Sequence, residues 1–192
     1  MLEEKREFNI LPITVLQDNI VWVWIHNCNA VVIDPSISKP IKECLLRKNL
    51  SLKAILQTHH HEDHIGGTKE LIKEWPDAKV IASKKELKRI PFQTFPVDNN
   101  DIFYLLDSQI KVIEVHGHTN NHLAFYISKD KAKYNILFPG DTLFGAGCGR
   151  LLEGTPSQMF KSLKRLNALP ANTKIYSAHE YTENNLKWAL SL

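Results

Sequence analysis

The chain has 192 residues, 43% of them hydrophobic, and a formal charge of +3 at pH 7, which suits one globular domain with a sizeable core. Acidic residues are interspersed with basic ones throughout, arguing against a dedicated nucleic-acid surface, and no apolar run approaches a membrane span or a signal peptide. Cys28, Cys44 and Cys148 are odd in number and widely spaced, so reduced thiols in a cytoplasmic protein are expected, with Cys148 a small buried residue in a Gly-rich loop.

In chain order, alternating apolar residues predict strands over Phe8 to Leu16, Ile20 to Ile25 and Ala30 to Ile33, then a helix from Lys39 to Lys48. Ala54-Ile55-Leu56-Gln57 reads as a buried strand, and Gly67 to Trp75 as a helix with apolar Leu71, Ile72 and Trp75. A strand at Lys79 to Ala82, a short helix around Lys84 to Lys88 and an irregular Pro-containing link through Asp98 follow. Strands resume at Ile102 to Leu106, Gln109 to Val115, Leu123 to Ile127 and Asn135 to Phe138. Thr155-Pro156-Ser157 opens a helix carrying Met159, Phe160, Leu163 and Leu166, before a strand at Lys174 to Ser177 and a last helix from Glu183. Strand-rich halves, each closed by helices, imply a layered α/β fold. The basic bunch Lys84, Lys85, Lys88 and Arg89 reads as a solvated helix face, and Lys129 to Lys133 as a hairpin turn.

Between the buried strand and the helix that follows it lies Thr58-His59-His60-His61-Glu62-Asp63-His64-Ile65-Gly66-Gly67. Four imidazoles and two carboxylates this close are costly to bury unless a cation compensates them, so the cluster is read as a metal site. On an extended backbone His59 and His61 point the same way, while Asp63 and His64 fall on the first helical turn. His60 points away and is read as a packing or hydrogen-bonding residue. Gly66 and Gly67 suit a loop that needs backbone freedom and close approach. Three more strands end in candidate ligands: His116-Gly117-His118-Thr119, Gly140-Asp141-Thr142 and Ala178-His179-Glu180. Together these sites supply what two cations need, imidazole nitrogens for each and a carboxylate to bridge them.

These motifs resemble those of the metallo-β-lactamase superfamily and, within it, the glyoxalase II (hydroxyacylglutathione hydrolase) family. Thr58 to Gly67 fits T-H-H-H-x-D-H-x-G-G, Gly117-His118-Thr119 fits G-H-T, and Gly140 to Phe144 fits G-D-T-L-F. The first cluster alone would specify only the superfamily, whose nucleases and sulfur dioxygenases share it. Gly147-Cys148-Gly149-Arg150 and His179-Glu180-Tyr181-Thr182 are the segments specific to glyoxalase II.

The resemblance implies a four-layer αββα sandwich with a dinuclear site at one edge. His59, His61 and His118 would hold the first metal, Asp63, His64 and His179 the second, and Asp141 would bridge both. Two zinc ions per chain are implied, with iron or manganese at the same ligands in some members. The implied reaction is hydrolysis of S-D-lactoylglutathione to D-lactate and glutathione by a metal-bridging hydroxide, with no protein nucleophile. Arg150 and Tyr181 match positions that contact the glutathione moiety. A cytoplasmic monomer with a glutathione thioester as its partner, and neither nucleic acid nor membrane, is expected. Departures from the family are Ile20, Leu152 and His116, where Tyr, an aromatic residue and Pro are common. Family members continue past Leu192 into helices that grip the glutathione carboxylates. Residues 1–192 are therefore read as the hydrolase domain with that helical region largely absent, binding glutathione thioesters poorly while keeping its metals.

Overall fold

The structure, a computed structural model, describes residues 9–128 and 134–192. Phe8, the charged segment 1–7 and the expected turn at Lys129 to Lys133 lie outside the described residues. Two sheets face each other. The first has six strands in sequence order: β1 (Asn9–Val15), β2 (Asn19–His26), β3 (Asn29–Ile33), β4 (Ser51–Leu56), β5 (Lys79–Ser83) and β6 (Phe95–Val97). The second has five, comprising β7 (Ile102–Leu105), β8 (Ser108–Glu114), β9 (Leu123–Ser128), β10 (Asn135–Phe138) and β11 (Thr173–Ile175), in the order β11-β10-β9-β8-β7.

The period-2 alternation of β-branched and aromatic residues decides which face meets which layer. In β2, Trp24 enters the core between the sheets while Val21 and Val23 face the helices outside. In β3, Val31 and Ile33 point inward, and Ala30 and Val32 outward. The central core joins Trp24, Leu56 and Ile81 of the first sheet to Val112, Phe125 and Phe138 of the second. Each such buried side chain contributes roughly 1.5–3 kcal/mol, and truncating fully buried Phe125 to Ala would cost about 3–5 kcal/mol.

Parallel pairing of β3 with β4 and of β4 with β5 requires crossover connections, and helices supply them. The first crossover is α1 (Ser38–Arg47); the second contains α2 (Glu62–Ile65) and α3 (Thr68–Glu74). Ile41, Leu45 and Leu71 from these helices cover the outer face of the first sheet. On the far side α4 (Pro156–Asn167), which joins parallel β10 and β11, covers the second sheet through Leu166. Its start is well specified: Thr155 and Gln158 form a reciprocal capping box, with Pro156 at the first helical position. The layers are thus helix, sheet, sheet, helix, the αββα sandwich expected, and α5 (Thr182–Ala189) closes the described chain with no buried residue. No helix among the described residues is long and apolar enough to cross a membrane.

Several local expectations need correction. The link before Asp98 contains a strand, β6, which pairs only with β5 at the sheet edge. Pro96 hid it, since a residue without an N–H is tolerated at an edge and not inside a sheet. The short helix expected around Lys84 to Lys88 is a 3-10 helix confined to Lys84–Glu86. Nor is the basic bunch simply solvated: Lys84 pairs with Asp98, Lys85 with Glu114, and Arg89 with Glu86 and Glu153. Phe160 lies exposed over an apolar groove between α4 and β11. The last strand ends at Ile175, not Ser177.

Candidate metal centre

The polar groups collect where strands end. β4 runs out into Thr58 to His61, β8 into His116 to His118, β10 into Gly140-Asp141, and β11 into His179. His61 is the extended residue that caps α2, so Asp63 and His64 lie on its first turn, with Glu62 alone separating them from the His59/His61 pair. This local geometry places His59 Nε2 and His61 Nδ1 only 3.0 Å apart, and His118 Nε2 lies 3.1 Å from the same His61 nitrogen. A second triad forms beside the first: Asp63 Oδ2 is 3.5 Å from Nε2 of both His64 and His179.

Asp141 lies between them. Its Oδ2 is 3.4 Å from His118 Nε2, and its Oδ1 is 3.3 Å from His64 Nε2 and 3.4 Å from His179 Nε2. All seven side chains fall into overlapping groups whose potential ligand atoms lie within 4.8 Å of one another.

In four of these imidazoles the nitrogen turned away from the centre has a partner. His64 Nδ1 meets Asp34 Oδ2 at 3.1 Å, His179 Nδ1 meets Asp18 Oδ1 at 2.7 Å, and His118 Nδ1 meets the Arg150 carbonyl at 2.9 Å. His59 Nδ1 meets Thr58 Oγ1, whose hydroxyl donates to Asp34 Oδ2 at 2.6 Å. Protons on these outer nitrogens leave the Nε2 lone pairs facing inward, as ligating histidines require. Asp34 therefore supports both triads. It is buried, accepts the Thr58 N–H as well, and has a left-handed backbone (φ 50°), a sparsely populated conformation that tertiary contacts must maintain. Asn19 Nδ2 donates to Asp63 Oδ2 at 3.1 Å.

The electrostatics fit a cation. Burial holds His59 well below the ordinary imidazole range and His122 at about 3. Burial also lowers His64, but the Asp141 and Asp34 carboxylates outweigh it and raise that ring well above its usual value. Burial raises the Asp141 carboxyl, yet the surrounding imidazoles more than reverse this and keep it ionised. Its buried Oδ1 makes no well-aligned hydrogen bond, leaving an acceptor aimed into a cluster of nitrogen and oxygen donors. Five imidazoles and two carboxylates arranged as two triads sharing an acidic residue suit two adjoining divalent metals.

His60 turns out of the cluster: its Nε2 accepts from Arg89 at 3.0 Å, between Glu86 and Glu153. Gly66 and Gly67 are present for close approach rather than freedom, since both have ordinary helical dihedrals. A Cβ at either would come within 2.6 Å of backbone at Pro35 to Ser38. Arg150 is exposed at the rim of the first triad, and Tyr181 stacks on His179 at 5.0 Å and 8°. Burial pushes the Tyr181 phenol up to about 12, with the Asp18 carboxylate adding to the effect. Cys148, expected buried, is exposed, and it is the neighbouring Gly149 that packs inward, against the Asp141 carbonyl.

Sequence reasoning gave no role to Asp34, Asp18, Asn19 or His122. Asp34 follows an apolar strand just as Asp141 does, so the strand-end rule that found the one could have found the other. For His122, which precedes β9, no local signal existed.

The family model described as Metallo-beta-lactamase superfamily matches residues 13–179. The chain is 78% identical over 192 residues to a protein named hydroxyacylglutathione hydrolase from Prochlorococcus marinus (strain NATL1A), covering all of this chain and 76% of that one. Among solved structures it is similar to ETHE1 from Myxococcus xanthus, with TM-score 0.78, 24% identity and coverage of 90% of this chain and 76% of that one. It is also similar to TTHA1623 in a di-iron-bound form, with TM-score 0.69, 26% identity and coverage of 89% and 91%.

Proposed function

Since the chain belongs to the metallo-beta-lactamase superfamily and, within it, to the hydroxyacylglutathione hydrolases, we propose that it hydrolyses S-D-lactoylglutathione to glutathione and D-lactate. The observation that carries this reading is Asp141, whose two oxygens lie 3.3–3.4 Å from imidazoles of different triads. In this reading His59, His61 and His118 would hold one metal, Asp63, His64 and His179 a second, and Asp141 would serve both. The metals would be zinc, with iron or manganese compatible with the same donors. When bound, two divalent cations would supply a water acidified toward neutrality and Lewis acidity toward a carbonyl.

The chain's own residues do the rest. Asp34, Thr58, Asp18 and the Arg150 carbonyl fix the imidazole tautomers, so no reorganisation is needed when substrate arrives. Asn19 orients Asp63. The Arg150 guanidinium, exposed at the rim, attracts the glutathione carboxylates, and Tyr181, braced against His179 and Phe144, offers a flat edge to the peptide. No side chain acts as nucleophile. The chain works as one hydrolase domain and as a monomer.

The test is steady-state hydrolysis of S-D-lactoylglutathione by the zinc-loaded chain, with metal content measured on the same sample. Turnover with two metals bound is the expected result. Two metals without turnover on this or other glutathione thioesters would overturn the substrate assignment.

A further inference from the structure

His122 has no part in the two triads, yet three ligand-bearing loops meet at it. Its backbone O accepts the Val115 N–H at 2.9 Å, just before the His118 loop, and the next N–H, of Leu123, donates to the Thr58 carbonyl at 2.8 Å, just before His59. Its side chain reaches the third loop: Nε2 accepts the Asp141 backbone N–H at 3.1 Å. The ring is fully buried and stacks on His59 with centroids 4.6 Å apart and planes 21° from parallel.

The turn at Asp141 is built around this ring. Gly140 has φ +52°, and a Cβ there would come within 2.6 Å of His122 Cε1 and 2.5 Å of Thr58 Oγ1. Asp141 itself has φ −90° and ψ 18°, the usual setting for the third residue of a turn, here the one closed by the Thr142 N–H on the Pro139 carbonyl at 3.2 Å. The hydrogen bond to His122 ties the Asp141 N–H of this turn to a ring that is itself stacked on His59, and so ties the base of the carboxylate to the first triad. Because Nε2 accepts, the ring proton resides on Nδ1, and neither nitrogen is free to ligate.

We propose that His122 is a positioning residue that holds the Asp141 carboxylate between the two metal subsites, by accepting the Asp141 N–H while bracing the His59 ring. The proposal rests on the dinuclear reading of the site. It requires an acceptor at the Nε2 position, whereas a core filler would require only volume and shape, and the two roles separate by substitution. His122→Phe keeps a stacking ring and removes the acceptor. His122→Gln keeps an amide oxygen near the place of Nε2 and removes the ring.

The wild-type chain and both variants would be stripped of metal and titrated with zinc against a chromogenic chelator, with circular dichroism to verify folding. In His122→Phe the affinity for the weaker zinc equivalent is expected to fall about 10–100-fold, while His122→Gln stays within about threefold of wild type. Unchanged zinc affinities in a folded His122→Phe, or a loss in His122→Gln as large as in His122→Phe, would overturn the role assigned to His122. If His122→Phe does not fold, His122→Gln decides: near wild-type affinity upholds the proposal, and a loss of about tenfold or more overturns it. A wild-type chain that takes up fewer than two zinc ions would instead overturn the dinuclear reading and this proposal with it.

Discussion

The two triads use similar ligands but are held by different chemistry. In the first, the outer nitrogens of His59 and His118 meet a threonine hydroxyl and a backbone carbonyl, both neutral. In the second, those of His64 and His179 meet the carboxylates of Asp34 and Asp18, and Asp63 is itself a carboxylate. A carboxylate partner makes an imidazole a more basic ligand than a neutral acceptor does. The second subsite therefore concentrates negative charge, while the first relies on geometry, with its rings packed nearly perpendicular to one another at 4.5–5.0 Å. A dinuclear centre can thus be asymmetric through its surroundings as well as through its ligands.

Removing what the subsites share should cause the largest effect. Asp141→Ala is expected to lower bound metal toward one equivalent or less and to abolish turnover; a variant that retains two metals and full activity would remove Asp141 from the centre. Next comes Asp34, which supports both triads. Asp34→Ala leaves the Thr58 N–H and hydroxyl and one imidazole nitrogen without an acceptor, at roughly 1–3 kcal/mol for each buried group. Denaturant unfolding should show that loss, and zinc titration should show both equivalents weakened by about 10–100-fold. If only one equivalent weakens, the Thr58 relay to His59 carries nothing.

Asp18→Asn should separate the subsites, because His179 is the one proposed ligand whose ring meets the Asp18 carboxylate, which otherwise faces the Tyr181 phenol. One zinc equivalent is expected to weaken by about tenfold while the other is unchanged. Equal weakening of both would contradict the asymmetry between the triads. The smallest effect is expected for Arg150→Ala. Its contact with His118 comes from the backbone carbonyl, which any residue would supply, so metal content should not change. Loss of an exposed guanidinium at about 0.2–1 kcal/mol would raise KM by up to about fivefold with kcat little altered.

How much was legible in the sequence follows the range of the interactions. A layered α/β fold was readable from alternation in segments such as Val21 to Trp24, its αββα order only through the family resemblance, and α4 from Thr155-Pro156-Ser157 and its apolar residues, because these local signals lie within a few residues. The edge strand with Pro96 and the outward turn of Cys148 were not, since each depends on what lies beside the segment and not within it. At the site, His59, His61, Asp63 and His64 announced themselves because an extended pair running into a helical turn converges by local geometry alone. His118, Asp141 and His179 were legible as polar residues at strand ends, and as a set only through resemblance to a family.

By itself the sequence determined the layered fold and the candidate ligands, since both follow from backbone periodicity and donor chemistry. Only the tertiary structure decided how those ligands are held. Asp34 meets His64 across 30 residues and Asp18 meets His179 across 161. Asp141 donates its N–H to His122 across 19. No local pattern encodes such pairings: they exist because two sheets end their strands at one edge, where buried polar groups must satisfy one another in the absence of water.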